Sequence, residues 1–380
     1  MINRMIGKTL QSSPKSILLL GPRQVGKSTL LKSLEPDLKI NLSLESEYLQ
    51  HLSDTDRLLS LIRGRSAGTV FIDEIQRIPS LLNTIQAILD DFSSPPKFYL
   101  SGSSARKLKR GNANLLPGRI FLYHLSAFCS TELPDEYDDL KAMKIGLLPD
   151  PYLSSNLKFG EKILRDYAAT YLVEEIQAES LTRNLQGFSR FLKLLGGLSG
   201  SILDYSKISQ KSGVSRTSVI RFMEILEDTL IAERIYCYPQ TSADIVKHPK
   251  LYFFDPGVLN GLLGNFEVSL DRIGNLFEHL VYAQIKNSLY ANDIQGQIYY
   301  FRTRNGLEVD FLLEIKDQLY AIEVKAGPVT EPDTRPLMAI QKYCPPINKS
   351  FVVSPKESSP RKIGNVIICS TTELLREIGL

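Results

Sequence analysis

Cysteine and histidine are scarce in this chain of 380 residues, with four of each. Cys129, Cys237, Cys344 and Cys369 include no short C-x-x-C pair, so neither a zinc site nor a disulfide framework is indicated. His51, His124, His248 and His279 form no ligand-spaced pair either. Also missing is any apolar run of membrane-spanning length, and the first residues lack the apolar core of a signal peptide. The expectation is a soluble, cytoplasmic protein with no membrane partner. A strong charge of one sign is absent too. Lys and Arg number 45 against 42 Asp and Glu, a net +3, so any nucleic-acid-binding surface must be local. Hydrophobic residues make up 43%, as in ordinary globular proteins, and the length is too great for a single core, so two or three domains are expected.

What is present is a phosphate-binding pattern. Gly21-Pro22-Arg23-Gln24-Val25-Gly26-Lys27-Ser28 matches G-x-x-x-x-G-K-[ST]. Ser16–Leu20 before it reads as a short buried strand, and Thr29–Leu34 after it as a helix with an apolar face. The chemistry needs this order. Glycines let backbone N–H groups curl around phosphate oxygens, Lys27 reaches the β- and γ-phosphates, and Ser28 offers its hydroxyl to Mg²⁺. The candidate nucleotide-binding run therefore extends from Gly21 to Thr29, with ATP and Mg²⁺ as the expected cofactors.

A second strand is expected at 38–42 and a helical stretch from Glu45 to Ile62. Then Val70-Phe71-Ile72 runs into Asp73-Glu74. Buried parallel strands read as unbroken apolar runs, and ligands sit at their carboxyl ends. Asp73 would lie beside the Mg²⁺ held by Ser28, and Glu74 would reach the water that attacks the γ-phosphate. A further strand, Lys97–Leu100, ends in Ser101-Gly102-Ser103-Ser104, which either contacts the γ-phosphate or is a plain turn cluster. After a basic stretch (Arg106, Lys107, Lys109, Arg110) comes Leu116-Pro117-Gly118-Arg119. Arg119 is either a finger reaching a neighbouring subunit's nucleotide in a homo-oligomer or a surface arginine.

With G-P-R-Q-V-G-K-S-T, F-I-D-E-I-Q, L-S-G-S-S and L-P-G-R in this order, residues 14–125 resemble the prokaryotic AAA-type ATP-binding proteins. The resemblance implies a five-stranded parallel sheet, Asp73 and Glu74 as metal and catalytic acids, Ser101 or Ser103 as γ-phosphate sensor, and Arg119 as a finger-like arginine. Proteins of this kind usually carry a C-terminal part known as domain of unknown function 4143, which is nuclease-like.

The middle, residues 136–245, reads as helical. Leu164, Tyr167, Tyr171, Leu172 and Ile176 stand at core spacing. Tyr205–Thr217 reads helix, glycine turn, Ser215 cap and second helix to about Thr229, then a strand from Ile231 to Tyr238. That is the order of a winged helix-turn-helix. Val219, Phe222, Met223 and Leu226 would face inward, with Arg216, Thr217 and Arg221 outward. Glu224, Glu227 and Asp228 make its far half acidic, which leaves open whether the module reads DNA or joins the flanking domains.

In residues 246–380 a helix from Asp271 to Tyr290, capped by Asp271, carries Glu278 at the edge of its apolar stripe. Two strands follow, 307–313 and 320–325. A hairpin turning at Lys316-Asp317 would set Asp310 opposite Glu323 and Glu308 opposite Lys325. Facing carboxylates repel, and a bound cation would remove that penalty. The pattern D-x12-E-x-K after a helical acid resembles the PD-(D/E)xK nuclease superfamily, although Val309 stands where proline is common. The resemblance implies Asp310, Glu323 and Lys325 as catalytic residues, and Glu278, Asp310 and Glu323 around Mg²⁺. Two alternatives stay open: an exposed salt-bridged hairpin, or a nuclease-like fold that binds DNA without cleavage through Arg302, Arg304, Lys316 and Lys325.

The expected fold is thus α/β in three parts. Residues 1–135 form a P-loop AAA-type parallel sheet, 136–245 a helical winged-helix-like middle, and 246–380 a restriction-endonuclease-like α/β domain. The expected function is ATP hydrolysis coupled to a DNA-binding, nuclease-like domain. The alternative is a regulatory ATPase whose C-terminal domain binds DNA or protein without cleaving.

Overall fold

The computed structural model describes residues 2–103, 116–171, 185–239, 241 and 244–380. Ser104, Arg106, Lys107, Lys109, Arg110, Leu172, Ile176 and the side chain of Tyr171 lie outside the described residues. The chain divides into two compact units, Met1–Ser126 with Asp228–Leu230, and Ala127–Glu227 with Ile231–Leu380.

In the first unit five strands form one sheet: β1 (Ser16–Leu20), β2 (Leu38–Asn41), β3 (Thr69–Asp73), β4 (Lys97–Gly102) and β5 (Ile120–His124). Their order is β2-β3-β4-β1-β5, and every pairing is parallel. This all-parallel five-stranded sheet is consistent with the P-loop AAA fold expected for this part of the chain. All five residues of β1 are buried, and β3 is buried from Val70 to Asp73. Such two-sided burial explains the unbroken apolar runs. Leu18, Leu20, Ile72 and Leu100 share a core with Leu82 and Ile85 of the helix Leu81–Asp91. Parallel pairing brings the carboxyl ends of β1, β3 and β4 to one edge, with Leu20 opposite Gly102 and Asn41 opposite Asp73.

The single helical stretch expected at Glu45–Ile62 is two helices, Glu45–Ser53 and Arg57–Arg65. Asp54 between them is extended, and its carboxylate accepts from the Asp56 amide at 3.0 Å. Aspartate competes in this way with helical hydrogen bonding.

The second unit has helices Leu157–Asp166, Leu185–Gly196, Tyr205–Ser212 and Arg216–Asp228. Asp204 caps the third, accepting from the Ser206 amide, and Gly213 at φ +68° ends it. Ser215 caps the fourth through the Ser218 amide at 3.1 Å. Phe222 packs edge-on against Phe188 and tilted against Phe191, while Arg216, Thr217 and Arg221 are exposed.

Next, β6 (Ala232–Ile235) pairs antiparallel with β7 (Lys250–Phe253). β6 is shorter than the expected Ile231–Tyr238. The Ile231 amide closes onto Leu226 O at 2.9 Å, and the Tyr238 amide bonds instead to Tyr300 O at 2.9 Å.

A six-stranded sheet completes the unit: β8 (Gly296–Arg302), β9 (Glu308–Ile315), β10 (Gln318–Val324), β11 (Ile347–Val353), β12 (Arg361–Ile363) and β13 (Val366–Cys369). Its order is β12-β13-β11-β10-β9-β8. β8, β9 and β10 pair antiparallel, while β10 with β11 and β11 with β13 pair parallel. The long helix here spans Ile273–Ala291. It starts later than expected and without a side-chain cap, because the Asp271 carboxylate is taken by Ser269 and its own amide.

Candidate functional site

The first candidate site lies at the carboxyl edge of the parallel sheet. The loop after β1 needs left-handed backbone at Gln24 (φ +63°) and Gly26 (φ +93°). Gly21 has a different constraint, since a Cβ there would fall 2.0 Å from Leu125 O. Lys27 is buried, and its Nζ donates to the carbonyl oxygens of Gly21 and Pro22, both at 2.8 Å. Arg4 braces the loop from outside the pattern. Its guanidinium donates to Val25 O and Ser126 O, both at 2.9 Å.

Ser28 Oγ donates to Asp73 Oδ1 at 2.8 Å. Ser101 Oγ donates to the same oxygen, and accepts from the Glu74 amide at 3.1 Å. Ser101 thus ties the two acids of the pair together. Glu74 has φ +57°, a left-handed turn that redirects the chain at the strand end. Its carboxylate accepts from Gln76 Nε2, which also donates to Ser103 Oγ at 3.1 Å. Gln76 is buried and was not among the expected site residues; its place at the end of F-I-D-E-I-Q was the available signal. Arg119 Nε and Nη2 meet the two oxygens of Asp90 at 2.5 and 2.9 Å, so the finger candidate is held within its own unit.

The residues present fit Mg²⁺ here. A serine hydroxyl from the first turn of the helix Lys27–Lys32 and a buried carboxylate from the end of β3 converge on one point.

The second candidate site lies on β9, β10 and the helix Ile273–Ala291. The β9–β10 ladder pairs Gln318 with Ile315 through to Ile322 with Phe311. Continued one step, that register would set Glu323 opposite Asp310. Lys316 (φ +49°) and Asp317 (φ +62°) form the turn. Asp310 Oδ2 accepts from the Val324 amide at 2.8 Å, and Lys325 Nζ donates to Glu323 Oε1 at 2.8 Å. Burial pushes the Asp310 carboxyl well above the usual carboxylate range, and Glu323 and Glu278 push in the same direction. Burial also raises Glu323, while Lys325 works against it.

Lys250, from β7, was not anticipated. Only 4% of its side chain is exposed, and its Nζ stands 3.5 Å from Glu278 Oε1 and 3.0 Å from Glu308 Oε1. Burial works to lower its pKa, but Glu278, Glu308 and Asp310 outweigh that and raise it, so the ammonium stays charged. Tyr252 OH also donates to Glu278 Oε1. The signal for Lys250 was a lysine opening an apolar strand, Lys250–Phe253, since lysine is almost never buried without a partner.

These contacts correct several expectations. Glu308 pairs with Lys250 and with Arg302, 3.0 Å away, rather than with Lys325. Arg304 pairs with Asp244 at 3.4 Å, so Arg302, Arg304 and Lys325 all answer carboxylates of this chain. Glu278, Asp310 and Glu323 share one neighbourhood, but the set does not fit a divalent metal. Glu278 is taken up by an ammonium and a phenol, and among the described residues no group of three His, Cys, Asp or Glu could hold a metal ion. No described helix is long and apolar enough to cross a membrane.

Residues 13–133 match a family described as AAA domain. Residues 139–269 match a domain of unknown function (DUF8612), and residues 273–374 another (DUF4143). Uncharacterized proteins of Mycobacterium tuberculosis and Mycobacterium bovis are each 27% identical over 320 residues, covering 81% of this chain and 70% of their own length. The Holliday junction branch migration complex subunit RuvB of Mycoplasma pneumoniae is 35% identical over 78 residues, 20% of this chain and 25% of that protein. Among solved structures, replication initiator DnaA bound to AMPPCP and single-stranded DNA aligns at 14% identity and a TM-score of 0.26. The alignment covers 58% of this chain and 85% of that one.

Proposed function

We propose that this chain binds and hydrolyses ATP in its AAA domain and couples the nucleotide state to a C-terminal domain that engages DNA. The observation that carries the first half is the convergence of Ser28 and Ser101 on Asp73, with Glu74 beside it.

Phosphoryl transfer asks a protein mainly for positioning and for charge stabilisation. The backbone from Gly21 to Gly26 wraps the phosphates. Lys27 exchanges its two carbonyl partners for phosphate oxygens, a swap that leaves the ammonium buried and paired. Ser28 and Asp73 would hold Mg²⁺, which neutralises charge developing on the phosphates. Glu74 orients the attacking water and accepts its proton, while Gln76 holds that carboxylate and Ser101 holds the Glu74 amide. Arg119 must leave Asp90 to reach a nucleotide on another copy of the chain.

The DNA half rests on the likeness of part of this chain to a branch migration subunit and on the D-x12-E-x-K strands. A second reading, in which the C-terminal domain holds DNA or protein without cutting it, is favoured by the engagement of Glu278 by Lys250 and Tyr252.

The test is ATP turnover by the full chain beside Lys27→Ala and Glu74→Gln, with fluorescence anisotropy of labelled DNA measured with and without ATP. Turnover unchanged in both variants would sink the ATPase assignment. DNA binding that is absent, or indifferent to nucleotide, would sink the coupling.

A further inference from the structure

The C-terminal acid cluster has cations of its own. Glu278 comes from the helix Ile273–Ala291, Glu308 and Asp310 from β9, and Glu323 from β10. Among them stand Lys250, Arg302 and Lys325, each within salt-bridge distance of one or two of the carboxylates. Arg302 and Lys325 are partly exposed at 42% and 37%, as expected of rim charges. Lys250 is different. It enters from β7, outside the six-stranded sheet, and its ammonium is the buried one.

We propose that Lys250 is the built-in counter-cation of this cluster, standing where a nuclease-like site would take its divalent metal, and that the C-terminal site is therefore metal-free by construction.

Three observations support this. A hard divalent cation needs several oxygens at about 2.0–2.6 Å with lone pairs to spare. Glu278 Oε1 already accepts from both Tyr252 OH and Lys250 Nζ. Glu308 spends one oxygen on Lys250 and the other on Arg302. Secondly, a charged ammonium at this distance repels an incoming dication through low-dielectric surroundings, where such repulsion is least screened. Thirdly, Lys250 cannot easily swing away. Its Nζ also lies 5.5 Å from the Tyr300 ring centroid, and its strand is paired to β6 at Arg234–Ile235. Among the described residues, Glu323 Oε2 is a buried oxygen of the cluster without a hydrogen-bond partner. It is the ligand position that removing the lysine charge would bring into use, together with Asp310 and a freed Glu278.

The inference stands whether or not the domain engages DNA, because its readout is metal binding. The probe is Mn²⁺ alone, titrated into chelator-treated, nucleotide-free full-length chain and followed by electron paramagnetic resonance of the free ion. The wild type should show no binding that Asp310→Asn removes. Lys250→Met keeps the apolar stem and loses the charge. It should gain Mn²⁺ affinity of about a hundredfold or more, and Lys250→Met with Asp310→Asn should lose it again. A wild-type Mn²⁺ site abolished by Asp310→Asn would overturn the proposal. So would a Lys250→Met chain with native circular dichroism and no new site. If Lys250→Met does not fold, the wild type still decides. A ligand that binds the folded state raises the unfolding midpoint. A Mn²⁺-dependent rise present in wild type and missing in Asp310→Asn refutes the idea, and equal indifference of both supports it.

Discussion

Ser28 Oγ and Asp73 Oδ1 are hydrogen-bonded at 2.8 Å, joining the first turn of the helix after the phosphate loop to the end of β3. The bond makes the phosphate loop and the acid pair one geometric unit, so their separate loss should look alike. Asp73→Asn and Ser28→Ala should each lower ATP turnover by about a hundredfold to a thousandfold, the usual cost of removing one preorganised electrostatic group. Steady-state phosphate release checks this. The double variant should fall little further, because the residues act together.

Gln76 touches Glu74 and Ser103 but is not aimed at a phosphate by any contact it makes. It acts through Glu74 as a positioning residue. Gln76→Leu should lower kcat by about tenfold while the KM for ATP stays within about twofold, since misaiming a base costs rate rather than binding. An equal change in both parameters would mean that the loop itself had moved.

Arg119 is paired to Asp90 through both carboxylate oxygens, on a surface where such pairs add little to stability. If the arginine serves a neighbouring chain, ATP turnover per chain should rise with protein concentration in the wild type and stay flat in Arg119→Ala. Asp90→Ala releases the guanidinium and should shift the rise to lower concentration. The thermal midpoint should hardly change in either variant.

The parts legible in the sequence were those with local patterns. Val70–Ile72 ran unbroken into Asp73 because β3 is buried on both faces. The β9–β10 register was legible because strand alternation has a period of two and the turn has one centre, so a single position placed Ile322 opposite Phe311. The sequence marked Lys250 and Gln76 only as unusual polar residues; the partners Glu278 and Glu308 of the first and Ser103 of the second are brought near by the tertiary fold. Lys250 lies on β7, paired with β6, and no spacing rule links it to Glu278 or Glu308. The pairing of Arg302 with Glu308 and of Arg304 with Asp244 was not legible either, since nothing in the residue spacing selects those carboxylates.

The β9–β10 turn offers a stability test. Lys316 and Asp317 both hold positive φ, which ordinary side chains adopt at a cost and Asn-Gly adopts readily. Replacing the pair by Lys316→Asn with Asp317→Gly should stabilise the second unit by about 1 kcal/mol, read as a higher urea midpoint with an unchanged slope. Lys316→Val should do the opposite, because a β-branched residue is poorly suited to that region.

His279 predicts a pH dependence whose sign can be worked out. Its ring is buried, with Nε2 at 2.7 Å from Phe253 O and Nδ1 at 3.3 Å from Ser199 Oγ, and Tyr252 stands edge-on beside it. Burial lowers its pKa from 6.5 to about 4, against the opposing pull of the Phe253 carbonyl. Above pH 6.5 the ring is neutral in both folded and unfolded chains, and its contribution to stability is complete. Below pH 6.5 the unfolded chain takes up a proton that the folded chain refuses until about pH 4, so stability falls across that window. A shift of this size corresponds to roughly 3 kcal/mol at most, at about 1.4 kcal/mol per pH unit. Urea unfolding at pH 7 and pH 4.5 should therefore show a loss about 2–3 kcal/mol larger in wild type than in His279→Gln, whose amide does not titrate. Equal acid losses in the two proteins would mean that the ring can already accept a proton in the folded state, which its contact with the Phe253 carbonyl would then have to stabilise.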